Sequence, residues 1–185
     1  WKIVDDAVDD AEQLDWQLVL KIRTGSCWAT GGRIGEPAGN RRMTVSVPPT
    51  DLDVYAQFVR AVVERYAPRG VHGYAIENEV NALNFWQSTA DDYETLARTA
   101  ADAIRGADPD AVVYDGGISS AGYGAAIARE LLDAGDEAAA VDAYNRYYER
   151  RFSTRADDYW PVEDAAQLRA ALASERGSHN LSFVD

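Results

Sequence analysis

The stretch 71–78, Val-His-Gly-Tyr-Ala-Ile-Glu-Asn, decides the fold, because an apolar run that ends abruptly in polar residues predicts a buried β-strand. An amphipathic helix is predicted before it, over 51–66, with apolar side chains at helical spacing. A second helix is predicted after it, from Ser88 or Thr89 to Gly106, with acidic residues in its first turn. This local order, helix then strand then helix, is typical of a β/α protein.

Working outward from that strand, the same alternation continues in both directions. Strands are predicted at 17–23 and 111–114, and Thr50 is expected to cap the helix at 51–66. Further helices are predicted at about 122–134, 137–152 and 163–175, and the apolar run 181–184 resembles a strand. Units of this kind in series predict a parallel sheet covered by helices, either an open doubly wound sheet or a (β/α)8 barrel. A whole barrel takes about 250 residues, so 185 residues accommodate only part of one.

Composition excludes several classes of function. The formal net charge of -13 disfavours binding to nucleic acid or to an anionic membrane surface. No apolar run approaches the roughly 20 residues that span a bilayer. One cysteine and two histidines leave little scope for disulfides, thiolate zinc or a multi-histidine metal site.

Candidate functional residues follow the strand at 71–78. Chemistry in either architecture belongs at the C-terminal ends of the strands, where Glu77, Asn78 and Glu79 lie in succession. A carboxylate delivered into an aromatic cleft is a competent general acid, an asparagine can orient a sugar hydroxyl, and Trp86 can stack against a sugar ring. The other reading of this segment is a solvated acidic loop. Strand alternation would place Glu77 and Glu79 on one face, about 6.5–7 Å apart, but a catalytic pair must flank the bond, so Glu77 is expected to be an interior or subsite residue.

Residues 76–81, Ile-Glu-Asn-Glu-Val-Asn, followed by Phe85-Trp86, resemble the Asn-Glu-Pro-Asn and Phe-Trp signature of clan A glycoside hydrolases. The xylosidase and iduronidase family 39 and its relatives look nearest. The similarity covers roughly residues 1–135 and includes Cys27-Trp28-Ala29. Two positions depart from the pattern, because Val80 and Cys27 stand where the family commonly has proline.

The resemblance implies an incomplete (β/α)8 TIM barrel, with about strands three to six in residues 1–185 as one partial domain. It implies a retaining hydrolase of O-glycosidic bonds with a carbohydrate substrate and no cofactor, in which Glu79 is the general acid/base and Asn78 contacts the sugar 2-hydroxyl. Trp28, Asn81 and Trp86 are the other expected substrate-binding residues.

The ends of the chain suggest a central fragment of a longer protein, since it begins at Trp1 and stops after an apolar run. The family's nucleophile, a glutamate that ends strand seven, would then lie outside it. An isolated fragment of this kind is expected to lack hydrolase activity and to be marginally stable. The alternative is a non-catalytic βα domain that binds carbohydrate or a protein partner. The sugar, the compartment (secreted or cytoplasmic) and the oligomeric state stay open.

Overall fold

A computed structural model describes residues 1–25, 29–30, 45–152 and 161–184. The elements in chain order are α1 (Lys2–Gln13), β1 (Val19–Ile22), α2 (Leu52–Tyr66), a 3-10 turn (Ala67–Arg69), β2 (Gly73–Ile76), α3 (Ala90–Ala107), β3 (Val112–Tyr114), α4 (Ala121–Asp133), α5 (Glu137–Phe152), α6 (Ala165–Ala173) and α7 (Glu175–Leu181). The strands predicted around 17–23, 71–78 and 111–114 are therefore confirmed, as are the helices predicted between 51 and 175.

The chain forms two compact units, which are described separately. The sheet unit comprises Trp1–Asn78 and Asn84–Gly117, and the helical unit comprises Glu79–Leu83 and Ile118–Asp185. The chain passes from the first unit to the second at the Asn78–Glu79 peptide bond.

The sheet unit contains three parallel strands in the order β1-β2-β3. The central strand is the most buried, with Tyr74 and Ile76 fully inaccessible. The outer strands expose alternate residues, among them Val19, Val112 and Tyr114. The core is completed by apolar side chains of α2 and α3, namely Tyr55, Val59, Val63, Tyr66, Leu96, Ala100 and Ile104.

Helix ends in the sheet unit follow capping chemistry. Asp51, not the predicted Thr50, caps α2, because its carboxylate accepts from the backbone N–H groups of Asp53 (2.9 Å) and Val54 (3.0 Å). Thr89 caps α3 as predicted, in a reciprocal capping box with Asp92. The helix runs on through Gly106 and ends at Ala107.

Helix α1 is attached to α2 by a cluster of charged side chains. The Asp5 carboxylate accepts two hydrogen bonds from Arg65, at 2.9 and 2.6 Å, and one from the Tyr66 hydroxyl at 3.0 Å. The hydrogen bond from Arg65 lowers the pKa of Asp5 to about 2.

The helical unit is built from α4–α7 around a core of alanine, valine and leucine side chains. Its buried members are Ala125, Ala128, Ala140, Val162, Leu168, Leu172 and Leu181. Gly124 allows α4 to approach α5 closely, since a Cβ there would lie 2.3 Å from the ring of Tyr147.

The prediction of a partial (β/α)8 barrel with strands three to six is wrong. The described residues hold a small three-stranded parallel sheet, and the part described after β3 contains four helices and no further strand. The run 181–184 is not a strand either, because Leu181 ends α7 and Ser182 and Val184 continue in helical turns, with backbone bonds to Ser178 (3.0 Å) and Leu181 (3.0 Å). A short apolar run fits a buried helix end as well as a strand, and here Leu181 packs into the helical core.

Candidate functional site

The backbone is strained immediately after β2. Glu77 has φ +64° and Glu79 has φ +41°, both in the left-handed region that residues with a Cβ rarely adopt. Among the described non-glycine residues only one other, Asp15, has a positive φ. Strain of this kind persists where the surroundings impose it, and it is concentrated at functional sites. Because β2 ends at Ile76, strand alternation does not extend to these two glutamates, and the predicted placement on one strand face is wrong.

Glu77 is an interior residue with all its charge compensated. Its side chain is fully buried and accepts from the Thr24 backbone N–H (2.6 Å), the Thr24 hydroxyl (3.0 Å) and Arg23 Nε (3.3 Å). Arg23 also donates to the Ser46 hydroxyl (3.2 Å). These contacts join the ends of β1 and β2, so the carboxylate stabilises the strand ends and is occupied by protein donors.

Asn78 is half-buried, and its side-chain oxygen accepts a hydrogen bond from Lys21 on β1. Its side-chain N–H₂ group has no partner within the described part of the chain. The amide can therefore donate to a further oxygen atom.

Glu79 differs sharply from Glu77. It is half-buried, and its backbone carbonyl accepts from Ala82 N–H (2.8 Å) in a tight turn. Across the described ranges its carboxylate makes no hydrogen bond and no ion pair. Both carboxylate oxygens are thus available for a proton or a substrate.

The structure places two other predicted binding residues, Asn81 and Trp86, away from solvent. Asn81 is fully buried, and its side chain bonds to Ser119 and Asn180. Trp86 is also fully buried, with its N–H donated to the Thr89 carbonyl (3.1 Å) and its ring at 6.0 Å from that of Tyr93. Neither side chain presents a surface to a sugar. Trp28 and Cys27 lie outside the described residues.

The sequence did not predict that the hydroxyl groups of two tyrosines, Tyr93 and Tyr55, lie partly or fully buried in the sheet unit. The Tyr93 hydroxyl donates to the Ile76 carbonyl (3.2 Å) and accepts from Gly116 N–H (2.6 Å), and burial raises its pKa to about 12. The Tyr55 hydroxyl is buried without a partner among the described residues, and burial together with the charge of Glu77 raises its pKa. Helical periodicity assigned both rings to the core, and it carries no signal about their hydroxyl groups.

The described ranges lack two other kinds of feature, a metal-binding cluster and a membrane-spanning helix. In the ranges that the structure covers, no three His, Cys, Asp or Glu side chains are grouped so as to hold a metal ion. No helix in those ranges has the length and apolar character needed to cross a membrane.

Comparison with known proteins adds no relative. No model of a protein family matches the chain, and no curated protein matches it either. The resemblance to glycoside hydrolases therefore stands on the residues quoted above.

Proposed function

We propose that this chain carries the general acid/base of a retaining glycoside hydrolase, and that Glu79 is that residue. The observation that carries the proposal is the state of the Glu79 carboxylate, which is half-buried, held on a left-handed backbone and unpaired among the described residues. A general acid must have a carboxyl oxygen available to the leaving group. The resemblance of Asn78-Glu79 with Phe85-Trp86 to the clan A signature supports O-glycosides as the proposed substrate class.

The chemistry assigns two successive tasks to Glu79. It first protonates the glycosidic oxygen as the bond to the leaving group breaks, and it then removes a proton from the water that releases the sugar. The same reaction needs a second carboxylate, about 5–5.5 Å away, as nucleophile. Glu77 is excluded from that role because protein donors occupy its oxygens, and no described residue is assigned to it.

Asn78 is the proposed substrate-binding partner. Its unpaired N–H₂ group is the donor that would meet the sugar 2-hydroxyl, while Lys21 fixes the orientation of its oxygen. Trp28 stays a prediction as a cleft-lining residue. Asn81 and Trp86 are left out of the proposed binding set because they are buried.

The test is a comparison of leaving groups in Glu79→Gln, with the protein expressed from its complete natural reading frame. Phenyl glycosides and 2,4-dinitrophenyl glycosides are compared for a panel of sugars that includes xylose and iduronic acid. We expect kcat/KM for the phenyl glycoside to fall by about 10²–10⁴-fold, whereas the dinitrophenyl glycoside, whose leaving group needs no proton, loses much less. Glu64→Gln, an exposed glutamate on α2, is the matched control and should retain activity.

Two results would contradict the assignment. One is a loss of equal size for both leaving groups, and the other is a Glu79→Gln protein as active as the control. Calorimetric binding of a sugar by a protein that hydrolyses no member of the panel would favour the non-catalytic binding domain instead.

A further inference from the structure

The turn that carries Glu79 is fixed from within the helical unit. It comprises residues 79–83 and is closed by the backbone bond from Ala82 N–H to the Glu79 carbonyl (2.8 Å). Val80, the next residue, is buried at 1% exposure. A left-handed residue with a Cβ keeps its conformation only where surrounding contacts impose it. The contacts of this turn therefore determine whether Glu79 keeps its left-handed conformation.

Asn81 supplies the first of these contacts. Its side-chain oxygen accepts from the Ser119 backbone N–H (2.6 Å), and its N–H₂ group donates to the Ser119 carbonyl (3.0 Å) and to Asn180 Oδ1 (3.2 Å). The side chain is fully buried. Both N–H donors and the oxygen of its amide are therefore bonded to the protein, which fixes residue 81 two positions after Glu79.

Helix α7 supplies the second set of contacts. Asn180 is 6% exposed, accepts from Asn81, and donates to the Arg176 carbonyl (2.9 Å) within its own helix. The adjacent His179 has Nε2 at 3.1 Å from the Val80 carbonyl. Two consecutive residues of α7 thus contact the two residues that follow Glu79.

The start of α4 leaves space for this arrangement. A Cβ at Gly122 would lie 2.5 Å from Asn81 Nδ2 and 3.5 Å from the Asn180 carbonyl oxygen. Only a residue without a side chain fits against the Asn81 amide there.

We infer that Asn180 is a positioning residue for Glu79, acting through its hydrogen bond to Asn81. The buried pair Asn81–Asn180 holds the 79–83 turn, and the turn holds Glu79 in its left-handed conformation with the carboxylate unpaired. The catalytic consequence of this inference rests on the proposed glycosidase function, while the conformational part does not.

The test compares two replacements of Asn180. Asn180→Asp keeps an oxygen that accepts from Asn81, and Asn180→Leu has a similar size but no acceptor. In NMR spectra a strong intraresidue contact between the amide proton and Hα marks a left-handed residue. We expect Glu79 to keep this contact in Asn180→Asp and to lose much of its intensity in Asn180→Leu, with the amide signals of α5 and α6 unchanged as a check on folding of the helical unit.

Activity provides a second readout that a merely structural role would not move. In Asn180→Leu we expect kcat for phenyl glycosides to fall about 10–100-fold with KM little changed, and Asn180→Asp to restore most of it. An Asn180→Leu protein with an unchanged Glu79 signal would overturn the inference. If that variant does not fold, Gly122→Ala displaces the same Asn81 amide and is measured by the same spectrum. Absence of glycosidase activity in the wild-type protein expressed from its complete natural reading frame would refute the proposed function, and the NMR result would still decide the positioning role.

Discussion

At the residue scale, Glu77 and Glu79 share a left-handed backbone conformation but differ in the environment of their carboxylates. Both have positive φ, but Glu77 gains three protein donors in the interior, whereas the Glu79 carboxylate gains none among the described residues. Hydrogen bonds to the Glu77 carboxylate therefore offset the backbone strain at residue 77, whereas no described hydrogen bond to the Glu79 carboxylate offsets the strain at residue 79. Backbone strain that no side-chain contact offsets is typical of a residue with a functional role.

Replacement of each glutamate by asparagine, which tolerates the left-handed region, separates the two. Glu79→Asn is expected to raise the free energy of unfolding by about 1 kcal/mol, because it relieves strain and breaks no contact. Glu77→Asn is expected to lower it by about 3 kcal/mol, because the shorter side chain loses the buried hydrogen bonds from Arg23 Nε and the Thr24 backbone N–H. Urea denaturation measures both values. A destabilised Glu79→Asn protein would show that the carboxylate has a structural partner.

At the scale of elements, α7 is a seven-residue helix whose contacts with the 79–83 turn include a titratable group. Burial lowers the pKa of His179, although the hydrogen bond to Val80 and the charge of Glu175 oppose that shift. The neutral ring donates its Nε2 proton to the Val80 carbonyl. Since the folded pKa lies below the unfolded value of about 6.5, the unfolded state binds the proton more readily, and this contribution to stability is present above pH 6.5 and is lost as the pH falls below it.

The prediction is that the helical unit melts at a lower temperature at pH 5.5 than at pH 7.5, and that His179→Gln reduces this difference. Glutamine retains an N–H donor for Val80 but does not titrate. Differential scanning calorimetry at the two pH values gives the comparison. Equal pH dependence in the wild type and the variant would mean that His179 is protonated as easily in the folded state as in the unfolded state.

At the scale of the whole molecule, the sequence predicted the elements better than their assembly. Each strand of the sheet unit is a short apolar run bounded by polar or turn residues, and α3 has a capping box, so these signals are local. The prediction of a barrel was wrong because local sequence patterns do not determine how many strands a sheet contains. After Tyr114 the chain continues into helices, and the apolar end of α7 resembled one more strand.

The candidate site was predictable to the same degree. The sequence located Glu79 and Asn78 at a strand end, since an apolar run that stops at polar residues is visible in one dimension. It could not show that Trp86 packs against Tyr93, because that contact depends on the turn between them, or that Asn81 bonds to Asn180, because these two residues belong to distant segments. The sugar-binding roles expected for Trp86 and Asn81 were inferred without knowledge of these contacts.

The most direct test of the central claim is the configuration of the product formed by Glu79→Gly in the presence of azide. Glycine removes the carboxylate and adopts φ +41° without strain. With the 2,4-dinitrophenyl glycoside that the wild-type protein cleaves best, we expect azide to restore turnover. The product should be a glycosyl azide with the anomeric configuration of the substrate, because azide replaces the water that Glu79 would activate. Absence of rescue, or an azide of inverted configuration, would contradict the assignment of Glu79 as the acid/base.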